Sequence, residues 1–186
     1  MPRSGQEARR RLQQAALELY REHGFDRTTT AEIAKRAGVT ERTFFHHFLD
    51  KREVLFGGEE LLRDLLASAV RALPGGLTPL DVLLSAFESL EEVMEEGRSY
   101  SQPRHELVVT TPALREREAA KLASLAGTLA DVLQERGTPR QQAVLAAHAA
   151  MAAFNVAVVS WYEKPSEGLG VRLADAFKDL REICAG

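Results

Sequence analysis

Residues 29–51 read TTAEIAKRAGVTERTFFHHFLDK, and the fold turns on how this stretch is read. Thr29 and Glu32 have the T-x-x-E spacing of a capping box, which predicts a helix opening there. Ile33, Ala34 and Ala37 give that helix an apolar edge, and Gly38 is the residue type that ends a helix at positive φ without strain. Val39 is placed to plug the corner, and Thr40 is a good N-cap for a second short helix over 41–48. At about 100° per residue, Phe44, Phe45 and Phe48 fall on one side of that second helix. Arg42, Thr43, His46 and His47 fall on the other. A short helix that buries aromatics and turns a cation, a hydroxyl and two imidazoles outward suits a reader of the DNA major groove. An amphipathic hairpin with a solvated polar face has the same pattern.

Working outward, Leu12, Ala15, Ala16, Leu19 and Tyr20 make the apolar stripe of a helix over 6–23, stopped at His23-Gly24. Phe25 then tucks beneath the two short helices. Arg9, Arg10 and Arg11 lie either near a DNA backbone or in solvent, and solvation is expected for any one of them. On the other side, Asp50 reads as an N-cap. Lys51 follows it in a first turn, where a cation opposes the helix dipole and is easier to understand with a phosphate in front of it. That helix is expected over 51–73, weakened at Gly57-Gly58 and ended by Pro74-Gly75-Gly76. Further helices are expected over 79–96, 104–110, 113–135, 140–163 and 170–183. The expected fold class is all-α, with about nine helices and no sheet. A three-helix domain over 1–50, containing the helix-turn-helix, precedes a larger helical domain over 51–186.

Composition narrows the function. The formal net charge is −3, but residues 1–56 hold 11 of the 24 Lys and Arg and 8 of the 27 Asp and Glu, a net of +3 against −6 for the rest. A basic head on an acidic body fits a first domain that meets a polyanion. Cys184 is the only cysteine, so neither an internal disulfide nor a cysteine metal cluster is expected, and the five histidines show no ligand-like spacing. No nucleophile elbow, phosphate loop or dinucleotide fingerprint is present, so no catalytic residue, metal or cofactor is expected. Residues 143–162 carry no Lys, Arg, Asp or Glu, yet their alanines and the interruptions at His148, Asn155 and Ser160 make a poor membrane span. A helix buried on most sides, inside the body or between subunits, and a cytoplasmic protein are expected instead.

The run GFDRTTTAEIAKRAGVTERTFFHHFLDKREVLF, residues 24–56, resembles the DNA-binding domain of the TetR family of transcriptional regulators. The resemblance lies in the paired threonines before the helix, the I-A-x-x-A-G-V run and the F-x-x-K closing phrase, and it covers about fifty N-terminal residues. It implies a homodimer that binds a palindromic double-stranded operator and is released by a small-molecule effector in the C-terminal domain. It also implies that Thr29 and Thr40 touch phosphates through caps and hydroxyls and Lys51 through its ammonium. Arg42, Thr43, His46 and His47 sit where the family places base and backbone contacts. Two departures stand out: many members have a small residue in place of Arg42 and a tyrosine in place of Phe45, so Phe45 is left out of the binding set. The T-F-F-x-x-F form is similar to an actinobacterial-type subset, some of whose relatives respond to acyl-CoA esters.

In the body, the candidates for effector contact are Phe87, Met94, Tyr100, Arg104, His105, His148, Met151 and Asn155, with Trp161 beside them. Phe87 and Met94 fit equally as core, and Trp161 as core or interface. His148 and Asn155 lie seven residues apart in an otherwise apolar helix, where buried polar groups need partners. Dimerisation is expected through the last two helices, over Ala146, Ala149, Ala153, Val156 and Ala157. The leading expectation is a repressor. An activator of the same fold, or a small-molecule binding protein that has lost specific DNA reading, fits the same residues.

Overall fold

The computed structural model describes residues 2–164 and 166–185, and among them it has nine α-helices, one 3-10 turn and no strand. The helices are α1 (Pro2–His23), α2 (Thr30–Arg36), α3 (Glu41–His47), α4 (Glu59–Ala72), α5 (Pro79–Glu88), α6 (Glu91–Thr110), α7 (Pro112–Glu135), α8 (Arg140–Glu163) and α9 (Leu169–Ala185). The 3-10 turn, Glu53–Phe56, lies between α3 and α4. Two compact units result: Met1–Glu59 with Ser99–Ala119, and Glu60–Arg98 with Ala120–Gly186. The expected division into consecutive domains at residue 50 differs from this, because the end of α6 and the start of α7 belong to the N-terminal unit. Val108 and Leu114 are buried in its core.

In the first unit, the stripe Leu12, Ala15, Ala16, Leu19 and Tyr20 on α1 packs with Ile33, Ala34, Ala37, Phe44 and Phe48. The 3-10 turn seals this core with Val54, Leu55 and Phe56. Two arginines fasten the turn. The Arg104 guanidinium lies over the Phe56 ring at 4.6 Å, donates to the Leu55 carbonyl at 2.7 Å and pairs with Glu118 at 2.6 Å. Arg117 lies over the same ring at 5.1 Å and bridges Glu53 and Glu59. The expected helix over 51–73 is therefore a 3-10 turn and a separate α4. Gly57 lies at the break, and its carbonyl accepts from Arg9 at 2.9 Å.

In the second unit, Ala143, Ala147, Ala150, Phe154, Ala157 and Trp161 on α8 pack into a core with Leu83 and Phe87 on α5 and Leu169, Leu173 and Phe177 on α9. The first half of α6 is pinned to this unit by three polar side chains. The Glu91 carboxylate accepts from the Gly170 N–H at 2.8 Å, capping α9. Glu95 accepts from Trp161 Nε1 at 2.7 Å. Arg98 lies over the Trp161 ring at 4.5 Å and donates to its carbonyl at 2.7 Å.

Two boundaries differ from expectation. The helix expected over 79–96 stops at Glu88, where the Ser89 hydroxyl bonds back to the Ala86 carbonyl at 2.7 Å, and a new helix begins at Glu91. The short helix expected over 104–110 is the end of a 20-residue α6 that runs through Gly97 and Pro103. Proline removes one donor, and the pins on either side hold the helix across the loss. Among the described residues, α8 is the one helix long and apolar enough to cross a membrane. Within the chain one side of it is buried, and Val144, Leu145 and Val156 on the other are exposed.

Candidate nucleic-acid interface

α2 and α3 are built by their caps. The Thr29 hydroxyl accepts from the Glu32 N–H at 3.2 Å, and the Glu32 carboxylate accepts from both the Thr29 N–H and its hydroxyl at 2.8 Å. The Thr29 N–H and hydroxyl hold the Glu32 carboxyl below its ordinary range. Gly38 turns the chain at φ +68°. Thr40 caps α3 by accepting from the Thr43 N–H at 3.2 Å, and the two hydroxyls are 2.9 Å apart. Glu41, the acidic residue in the first turn of α3, is exposed and accepts from the Thr30 hydroxyl, tying α3 to the start of α2.

These bonds decide which expected contacts remain open. The Thr29 hydroxyl proton is already given to Glu32, so a phosphate contact through that hydroxyl would exchange this one bond while the two bonds of the capping box stay closed. Thr40 and Thr43 share one hydrogen bond between two hydroxyls, which leaves one proton to donate. Lys51 departs most from expectation. Its ammonium donates to the carbonyls of Phe25 at 2.9 Å, Asp26 at 3.2 Å and Thr28 at 3.1 Å, and it lies 4.5 Å from the Phe25 ring centroid. All three of its donors are spent inside the unit, so it fastens the turn before α2 and is not free to meet a phosphate.

The outward side of α3 carries Arg42 and His46, both exposed, with Thr43 and His47 half-buried. Arg42 has no hydrogen bond or ion pair among the described residues. The His46 and His47 rings stand edge to face at 5.2 Å. Burial, then the neighbouring His46 and Arg9, lower the pKa of His47. Phe44 and Phe48 are buried, but Phe45, expected beside them, is 53% exposed and stands edge-on to Phe44 at 5.4 Å. Phe44 and Phe48 already fill the arc that α1 covers. Arg9 was expected in solvent and is half-buried instead, over the Phe48 ring at 5.2 Å. Tyr20, read only as apolar, donates its hydroxyl to the Lys51 carbonyl, and burial pushes its phenol far above the ordinary range. A tyrosine in an otherwise aliphatic stripe was the available signal.

The effector candidates do not form one group. Tyr100, Arg104 and His105 belong to the first unit, while Phe87, Met94, His148, Met151 and Asn155 belong to the second. Arg104 is consumed by Leu55, Phe56 and Glu118. Phe87 is core, stacked on Phe154 at 4.5 Å, and Met151 is buried beside it; Trp161 is fully buried. His148 and Asn155 share a face as expected, but that face is exposed, and the His148 ring contacts the Val144 carbonyl of its own helix at 2.9 Å. The Tyr100 hydroxyl is buried with no hydrogen-bond partner, and burial pushes its pKa up to about 12. Burial also lowers the pKa of His105. Of the alanines expected at a dimer contact, Ala153 and Ala157 are buried in their own unit.

Two short capped helices around a left-handed glycine, the second exposing an arginine with no partner among the described residues, form a helix-turn-helix of the DNA-binding kind, in a chain whose second unit is all-α. Comparison with known proteins narrows the class. Residues 12–56 match the model for bacterial regulatory proteins of the tetR family, and residues 77–185 match the model of the MftR C-terminal domain. The chain belongs to the TetR family of transcriptional regulators.

The transcriptional regulator TcmR of Streptomyces glaucescens is 28% identical over 134 residues, 69% of this chain but only 59% of TcmR. BetI of Cronobacter sakazakii is 30% identical over 161 residues, 80% of this chain and 77% of BetI. Among solved structures, the TetR-family repressor FadR of Thermus thermophilus, in complex with lauroyl-CoA, superposes with a TM-score of 0.61 at 29% identity. That match covers 94% of this chain and 93% of FadR.

Proposed function

We propose that this regulator is a repressor that binds a palindromic operator as a homodimer and is released when a small molecule occupies its larger helical unit. Arg42 carries the proposal. Arg36 is paired with Glu22 at 2.8 Å, Arg52 with Asp50 at 2.8 Å, and Arg9 and Lys51 are held by carbonyls, whereas Arg42 stands outward with nothing to give up. A guanidinium in that state reaches the O6 and N7 of a guanine without breaking an internal pair. His46 would add a second base-edge or phosphate contact, and Thr43 and His47 would follow the backbone. The exposed Val144, Leu145 and Val156 on α8, with Val171 on α9, supply the apolar surface for the second copy.

The effector class that this reading favours is a fatty acyl-CoA thioester, on the likeness to T. thermophilus FadR in complex with lauroyl-CoA. α6 and α7 each have residues in both units, so an effector that prefers one of two states has helices through which to bias the other unit. No catalytic role is assigned.

An operator selected from random duplexes, with binding measured at fixed salt, tests the reading. A specific regulator binds such an operator roughly 10³–10⁷-fold more tightly than random DNA. The double variant Arg42→Ala, His46→Ala should lose that gap while remaining a folded dimer, and lauroyl-CoA should release the wild type from the operator. Equal affinity of the wild type for selected and random DNA would sink it.

A further inference from the structure

We infer that Phe45 reads the operator as well, by covering the 5-methyl group of a thymine in the major groove. The inference rests on the repressor reading above. Phe45 is 53% exposed, a large apolar ring left in solvent on a helix whose other two phenylalanines are buried. It lies three residues after Arg42, so the two side chains are neighbours on one helix surface and reach one stretch of groove. Its position is fixed before any DNA arrives. The Phe44 ring holds it edge to face at 5.4 Å and 82°, the Thr40 cap anchors one end of α3, and the buried Phe48 anchors the other.

The chemistry of the groove floor then selects the partner. A phenyl ring has no donor for a phosphate oxygen or a purine N7 and no acceptor for an exocyclic amine. The thymine methyl is the apolar group that a base pair presents in the major groove, and phenylalanine is among the side chains that pack on it. Cytosine at the same place presents a bare C5–H. Phe45 therefore separates thymine from cytosine where Arg42 selects guanine.

Operators in which each thymine in turn is replaced by deoxyuridine remove that methyl and keep the base pairing. Wild-type protein should bind about fourfold more weakly for one such replacement per half-site, the effect of losing one buried methyl. Phe45→Ala should bind the parent and that deoxyuridine operator alike, Phe45→Leu should keep part of the difference, and Arg42→Ala should weaken both operators equally and keep it. Thermal melting of Phe45→Ala should match the wild type, since the ring is half in solvent. Wild-type binding indifferent to every deoxyuridine, or an undiminished difference in Phe45→Ala, overturns the inference and leaves the repressor reading standing. A selection that enriches no sequence at all removes both.

Discussion

The outward sides of α3 and α8 are not covered by another helix of their own unit among the described residues, and they differ in what they expose. α3 presents a guanidinium and two imidazoles on a short scaffold whose remaining hydrogen bonds are closed by Thr29, Glu32, Thr40 and Thr43. α8 presents Val144, Leu145 and Val156, with His148 and Asn155 set among them as the polar exceptions. A free cation invites a polyanion, and an uncharged apolar ridge invites another protein surface. What each helix binds is set less by the residues it contains than by which of them its own unit has failed to use.

The largest effect that tests this contrast is expected on α8. Val156→Asp places a charge on the apolar ridge and should leave a folded monomer by light scattering. Specific operator affinity should then fall roughly 10²–10⁴-fold, because two half-sites are no longer held by one particle. A dimer that survives the substitution would show that the ridge is not the contact.

Lys51 gives the next effect and sharpens the α3 side of the contrast, since it is a cation near α3 that the unit does use. Lys51→Met should lower the stability of the N-terminal unit by about 2–3 kcal/mol in denaturant unfolding, through the lost charged hydrogen bonds to Phe25, Asp26 and Thr28. The salt dependence of operator binding by the fraction still folded should not change. Were Lys51 a phosphate contact, the slope of log affinity against log salt would drop by about 0.9 with stability untouched.

The smallest effect belongs to His47. Its pKa is lowered from 6.5 in the folded chain by burial, His46 and Arg9, so the unfolded chain takes the proton first as pH falls. Both forms are neutral above that value. Stability should therefore decline as pH drops from 6.5 through the folded pKa, and the thermal midpoint of His47→Gln should decline less over the same window.

Much of this architecture was legible because it is local. The capping box of Thr29 and Glu32, the Thr40 cap, the Gly38 turn, and the breaks at Pro112 and Gly137 each depend on residues within one turn of one another, and they lie where the pattern puts them. What escaped depends on partners far along the chain. Lys51 finds its carbonyls 23 to 26 residues upstream, and Arg104 finds the Leu55 carbonyl 49 residues away. Arg117 reaches Glu59 across 58 residues. Periodicity marks a cation as outward or inward but carries no record of which distant carbonyl waits for it. The same limit scattered the effector candidates over two units. Phe45 was misplaced for a related reason: a helical wheel puts three phenylalanines on one side, but the packing of α1 decides that the arc holds only two.

Pro103 brings a different property to α6. Its nitrogen has no hydrogen to close on the carbonyl of Ser99, the first α6 residue assigned to the N-terminal unit. Flexing the helix at that level sacrifices one fewer bond than flexing it elsewhere, so elastic compliance is concentrated in a single turn. The polar pins before it and the Arg104 clamp after it keep the flanking turns stiff, and strain entering α6 from either direction is localised at a fixed address in the chain.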